Sequence, residues 1–431
     1  FFAYIIHVKE ENMTEIRKYL EEKRDEMIDF LAELIAVRSI QGEAEENFPF
    51  GKKPAEALAK MLEKCEESGF TVENVENYVG SADFNNLEPQ LAILSHLDVV
   101  PEGTGWTSAP FTLRYDKPTG RLIGRGTCDD KGPAVAALYA AKAVRAAGIP
   151  LKKGVRLIFG TNEENGSADL AYYRKKRSLP PMVFTPDGEY PVINAEKGMI
   201  RVYFSTDYSG ESVHGGSVIN AVPESCTADS GEYRGRSAHA STPEKGENAI
   251  TKYLAENKNS HPMLKSLAEL FPHGETDGKS CSLGFSDDIS GKMTCVLSIL
   301  HTENKRLYGG IDIRFPLDCK FSTINSIICG KLEAAGFRID SCEGSEPHFT
   351  DENSEFVRSL LRAYERVTGD KGRCIAIGGG TYVHEIKGGV AFGAEFPNED
   401  GNMHSADEFI TVENLLKNAE IMAEAIIEIC G

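Results

Sequence analysis

Strand-length apolar runs that alternate with helical patterns constrain this chain most. Runs at 91–95, 121–124, 154–160 and 182–185 are short and bounded by turn residues, as buried strands are. Between the second and third lies "DKGPAVAALYAAKAVRAAG", residues 130–148. It reads as an Ala-rich helix with Pro133 near its first turn and Gly148 after its end. Helices are also expected at 13–37 and 53–69. Such alternation specifies an α/β sheet that is at least partly parallel.

The pattern changes near residue 198. "GMIRVYFSTDYSG" alternates apolar and polar residues, as a half-exposed strand does, and 292–316 reads as a pair of such strands. "ENAITKYLAENK" and "STINSIICGKLEAAG" read as helices, so this stretch is expected to be α+β. The α/β pattern then returns with a helix in "SEFVRSLLRAYERVTG", a strand in "GGVAFGAEFP" and a helix over 411–429. At 431 residues the chain exceeds one ordinary core. The expected arrangement is a discontinuous first domain, 13–198 and 346–431, with a second domain, 199–345, inserted. Residues 1–12 are expected to lie upstream of a natural start at Met13. They have no basic n-region and meet no small-residue cleavage site, so they do not read as a signal peptide.

A net charge of −19 argues against nucleic acid and anionic membrane surfaces as partners, but it leaves metal cations open. No window reaches the ~18 apolar residues of a membrane span. The ten cysteines are scattered, with no C-x-x-C pair. They read as reduced thiols, and a cytoplasmic location is expected.

The ends of the apolar runs carry the chemistry. "LAILSHLDVV" ends on His96 and Asp98, which share a strand face. Alone, that pair is better explained by a polar strand terminus. However, "GVRLIFGTNEENG" delivers Glu163 and Glu164, "TPDGE" delivers Asp187, "RGTCDDKG" delivers Asp129 before a helix, and "NEDGNMHSADEF" carries His404. Ligands of open α/β sheets bind outside the carboxyl ends of the strands. Carboxylates crowded there with nothing between them would raise one another's pKa, and divalent cations remove that problem. Two imidazoles and three carboxylates suit zinc, with manganese or cobalt as alternatives. With Asp129 bridging, His96 and Asp187 complete one metal, and Glu164 and His404 the other. Glu163 is then the expected general base, or else a further ligand. Asp98 is expected to accept from the second ring nitrogen of His96.

"SHLDVVPEGTGWTSAPF", "RLIGRGTCDDKGP", "TNEENG", "TPDGEYP", "GRSAHASTPEKGENAI", "GGGTY" and "FPNEDGNMHSADEFI" together resemble a known family. It is that of the dinuclear zinc metallopeptidases that include carnosinase, glutamate carboxypeptidase and aminoacylase. Within it the chain is most similar to bacterial dipeptidases of the peptidase V type. The resemblance implies a phosphorylase/hydrolase-like α/β catalytic domain with a mixed sheet, and an inserted α+β lid domain. It implies two divalent metals on His96, Asp129, Glu164, Asp187 and His404, with Glu163 as base and a cis peptide after Asp129. In the lid it implies His239 as oxyanion donor, Arg314 as partner of the substrate carboxylate and Asn220 as a substrate contact. A structural lid histidine and a strand-surface arginine are the plain alternatives for the first two.

The implied activity is hydrolysis of dipeptides with a free carboxylate, by a monomer or homodimer. The alternatives are an amidohydrolase acting on N-acyl amino acids, or a non-catalytic peptide-binding relic. The sequence departs from the family pattern at Asn162, Asn165, Cys128 and His384, the last standing where arginine is usual.

Overall fold

A computed structural model describes residues 2–431, with side chains from residue 11 onward. The expectation for residues 1–12 therefore falls mostly on side chains outside the described residues. Two compact units form. The first runs to Asn194 and takes in Thr350–Ile375 and Thr381–Gly431; the second is Ala195–Phe349 with Ala376–Gly380. The short return of 376–380 to the second unit has no counterpart in the sequence patterning.

The first unit is built on a mixed sheet. Its strands lie in the order Thr71–Val75, Val79–Asp83, Gly154–Gly160, Pro89–His96, Met182–Thr185, Val390–Ala391 and Val192–Glu196. Pro89–His96 pairs in parallel with both Gly154–Gly160 and Met182–Thr185, and Met182–Thr185 in parallel with Val390–Ala391. The helix Lys131–Ala146 is buried almost all round, which its run of alanines and apolar residues permits. It packs with the C-terminal helix Val412–Cys430 in the main core.

Two expectations are corrected here. The helix expected over 13–37 is two helices, Phe2–Glu22 and Arg24–Ile35, because Lys23 (φ −96°, ψ 1°) leaves helical geometry. The strand expected in "GGVAFGAEFP" is only Val390–Ala391; Gly393, at φ 87°, turns the chain out of it.

The second unit carries an antiparallel sheet. Its order is Gly231–Arg234, Ser225–Ala228, Val213–Gly215, Thr294–Glu303, Arg306–Phe315, Gly198–Asp207 and Arg338–Ser345. Ile200, Val202 and Phe204 alternate into one core with Ile250 and Leu254 from helix Ala249–Asn257, and Ile324 and Ile328 from helix Phe321–Ala334. No described helix is long and apolar enough to cross a membrane.

Candidate metal centre

Three neighbouring parallel strands end side by side. His96 is the last residue of its strand and lies in register with Gly160 of the next. Glu163 and Glu164 follow in a 3-10 turn, and Asp187 follows Met182–Thr185. Asp129 precedes helix Lys131–Ala146, and the peptide between Asp129 and Asp130 is cis, as the resemblance implies. His404 arrives by a different route. Strand Phe409–Thr411 pairs with Arg121–Ile123, which lays the 404–408 loop against the 124–129 turn.

The side chains converge. Nε2 of His96 is 2.8 Å from Oδ1 of Asp129 and 3.7 Å from Oδ2 of Asp187. Nε2 of His404 is 2.8 Å from Oδ2 of Asp129 and 3.3 Å from Oε2 of Glu164. Asp129 thus presents one oxygen to each histidine, as a bridging ligand must. Two metal-capable groups emerge: His96, Asp129 and Glu164, and His96, Glu163 and Asp187; within each, the ligand atoms lie within 4.8 Å of one another. Glu163 is near enough to be either base or ligand.

The donor set fits a divalent cation. His96 Nε2 and Asp129 Oδ1 are buried and close, yet they lack hydrogen-bond geometry to any described group. Burial, then the neighbouring Asp187, Glu164 and Asp129 charges, push the Glu163 carboxyl well above the usual range. Burial and the Asp129 charge push Asp187 up to about 7. Burial opposes charge on His404, but hydrogen bonds to Asp129 and Glu164 outweigh it and raise its pKa to about 11. Carboxylates and imidazoles brought this close form a donor set that a divalent cation would satisfy.

Asp98 does more than expected, and by another route. The His96 Nδ1 contact at 3.0 Å is with the main-chain carbonyl of Asp98, while the carboxylate stands at 3.6 Å. That carboxylate instead accepts the main-chain N–H groups of Glu163 (3.1 Å) and Glu164 (3.2 Å).

Glu408 and Tyr382 are among the residues that escaped the sequence reading. Glu408 is fully buried and accepts Nη1–H of Arg125 at 2.6 Å and the main-chain N–H groups of Gly126, Cys128 and Asp129 at 2.9–3.2 Å. Its only signal was an acid just before an apolar strand, in "SADEFI". Tyr382, from "GGGTY", donates to Asp169, which also accepts the N–H groups of Thr161 and Asn162 ahead of Glu163.

In the second unit, His239 is exposed and its Nδ1 accepts the Ser241 N–H at 3.2 Å. In the neutral ring the proton is then on Nε2. Arg314 is 5% exposed; its Nε and Nη2 hold the Asp312 carboxylate at 2.6 and 3.0 Å, and its Nη1 donates to the Gly378 carbonyl at 3.0 Å. It is therefore not a strand-surface arginine. Asn220 lies in a turn, and its carbonyl accepts the Ala240 N–H. Gly378 packs against Ser241, where a Cβ would come within 2.6 Å.

The family model for peptidase family M20/M25/M40 matches residues 92–428. The chain belongs to this family. Its relatives include a Beta-Ala-Xaa dipeptidase of Lactobacillus delbrueckii subsp. lactis, 33% identical, covering 96% of this chain and 98% of the relative. Human carnosine dipeptidase 1 has a similar fold, with a TM-score of 0.67 at 17% identity over 97% of this chain and 98% of that one. So does the dipeptidase Dug1p of Saccharomyces cerevisiae, with a TM-score of 0.66 at 15% identity over 97% and 98%. The M20/M25/M40 assignment covers every ligand-type residue of the centre, from His96 to His404.

Proposed function

We propose that this chain is a metal-dependent dipeptidase of the cytoplasm that hydrolyses dipeptides with a free C-terminal carboxylate. The observation that carries the reading is the convergence of His96, Asp129, Glu163, Glu164, Asp187 and His404 at one sheet edge. The dipeptidase relatives support the substrate class.

His96, Asp129 and Asp187 would hold one ion, and Asp129, Glu164 and His404 the other; zinc suits the donors best, with manganese or cobalt as alternatives. Bound divalent cations acidify water and stabilise charge that develops on a carbonyl oxygen. Glu163 takes the proton from the attacking water and returns it to the leaving amine, a task suited to a carboxyl whose burial raises its pKa. For the second unit we propose the roles that the motif resemblance implies. His239 donates to the oxyanion, which its Nε2–H tautomer supports. Arg314 and Asn220 contact the substrate. The active species is then a monomer, or a homodimer in which the partner supplies His239.

The test is metal-free protein refilled with zinc, manganese or cobalt and assayed on dipeptides and N-acetyl amino acids. Metal-dependent turnover of dipeptides is expected. Turnover of N-acetyl amino acids alone would make it an amidohydrolase, and metal binding without turnover of either would make it a binding relic.

A further inference from the structure

We propose that a second set of carboxylates, Glu408, Asp130 and Asp98, forms a chain of positioning residues that sets the ligand-bearing turns before metal enters. The proposal rests on the ligand set proposed above.

Each of the three sits on one ligand-bearing segment and holds the main chain of the next. Glu408 lies on the His404 loop and accepts the N–H groups of Gly126, Cys128 and Asp129. Asp130 lies beside Asp129, and its Oδ2 accepts the His96 N–H at 2.9 Å. Asp98 lies two residues after His96 and accepts the N–H groups of Glu163 and Glu164. The order is His404 loop, Asp129 turn, His96 strand end, Glu163–Glu164 turn. The approach of His404 to Glu164 closes it into a ring.

Generic packing does not call for this. All three side chains are fully buried. Neutral acceptors would satisfy the same N–H groups without placing further negative charge beside a crowd of carboxylates. Carboxylates accept more strongly and through two oxygens, so each fixes both the place and the tilt of its turn. Groups that orient ligands in this way govern how well a metal is held. Glu408 is paired with Arg125, and the Asp98 carboxylate stands 3.6 Å from the His96 ring.

The experiment uses full-length Glu408→Gln and Asp98→Asn proteins. Each substitution keeps the shape but turns one acceptor oxygen into an N–H donor facing main-chain N–H. Zinc stoichiometry and affinity are measured by competition with a chromogenic chelator, and the Tm of each metal-free protein is measured alongside. The expected result is a zinc dissociation constant raised about 10–100-fold in each variant, with folded metal-free protein and activity recovered in excess zinc. Unchanged zinc affinity in both variants would overturn the chain, and so would a lowered metal-free Tm with unchanged affinity of the folded protein. Failure of the unsubstituted protein to bind zinc, manganese or cobalt would instead overturn the metal-centre reading on which the chain depends.

Discussion

A Cβ on Gly160 would stand 1.8 Å from the hydroxyl oxygen of Tyr382. Gly160 ends the strand that leads to Glu163, and Tyr382 is anchored on Asp169, which holds the intervening turn. The glycine is therefore required by a close approach, and strand geometry alone does not demand it. Gly160→Ala should destabilise by about 1–3 kcal/mol, the usual cost of overpacking, and lower both Tm and metal affinity. Tyr382→Phe in the same protein should recover only part of the loss, because Oδ2 of Asp169 and the ring carbon Cζ would still be 2.5 and 2.7 Å away.

Glu163 lies among the proposed ligands, and the proposed pair of metal sites does not need it. Glu163→Ala should keep the zinc stoichiometry and lower kcat by about 10²–10⁴-fold, the range of a lost general base. Metal analysis and steady-state kinetics on one dipeptide check this. A loss of one ion from the variant would identify Glu163 as a ligand instead.

Removing metal should destabilise the first unit. An ion present at 100 times its dissociation constant stabilises the folded state by about 2.7 kcal/mol. A chelator should therefore abolish activity and lower Tm, and added zinc should restore both. Calorimetry with and without chelator is the measurement.

Arg314 has a structural duty in its own unit, since Asp312 is fully buried and paired to it. Arg314→Ala leaves a buried carboxylate without its main partner and should cost about 3–5 kcal/mol. Arg314→Ala with Asp312→Asn should be more stable than the single variant. KM measured in that double variant isolates any role of Arg314 in binding the substrate.

Glu26, which is not among the candidate metal ligands, makes a pH dependence legible. It accepts from Lys23 (2.8 Å), Tyr139 (2.7 Å) and Lys142 (3.0 Å). Burial works to raise its pKa, but these bonds outweigh it and hold the carboxyl at about 2. A folded value below the unfolded one contributes stability that is complete above the unfolded pKa of about 4.3 and is lost as pH falls toward 2. Tm should therefore fall less steeply with acid in Glu26→Gln than in the unsubstituted protein.

The sequence by itself determined the α/β alternation, the inserted α+β unit and the ligand-type residues at the strand ends. Burial on both faces demands apolar runs, and metal chemistry demands His, Asp and Glu, and both leave marks readable in one dimension. Only the tertiary structure decided what holds those residues in place. The routing of the Asp98 carboxylate to Glu163 and Glu164, the grip of Glu408 on the Asp129 turn and the contact of Tyr382 with Asp169 join segments 65 to 282 positions apart. An acid before a strand looks the same whether it faces water or three buried N–H groups. Which it does depends on strand order, and strand order is set by packing across the whole unit.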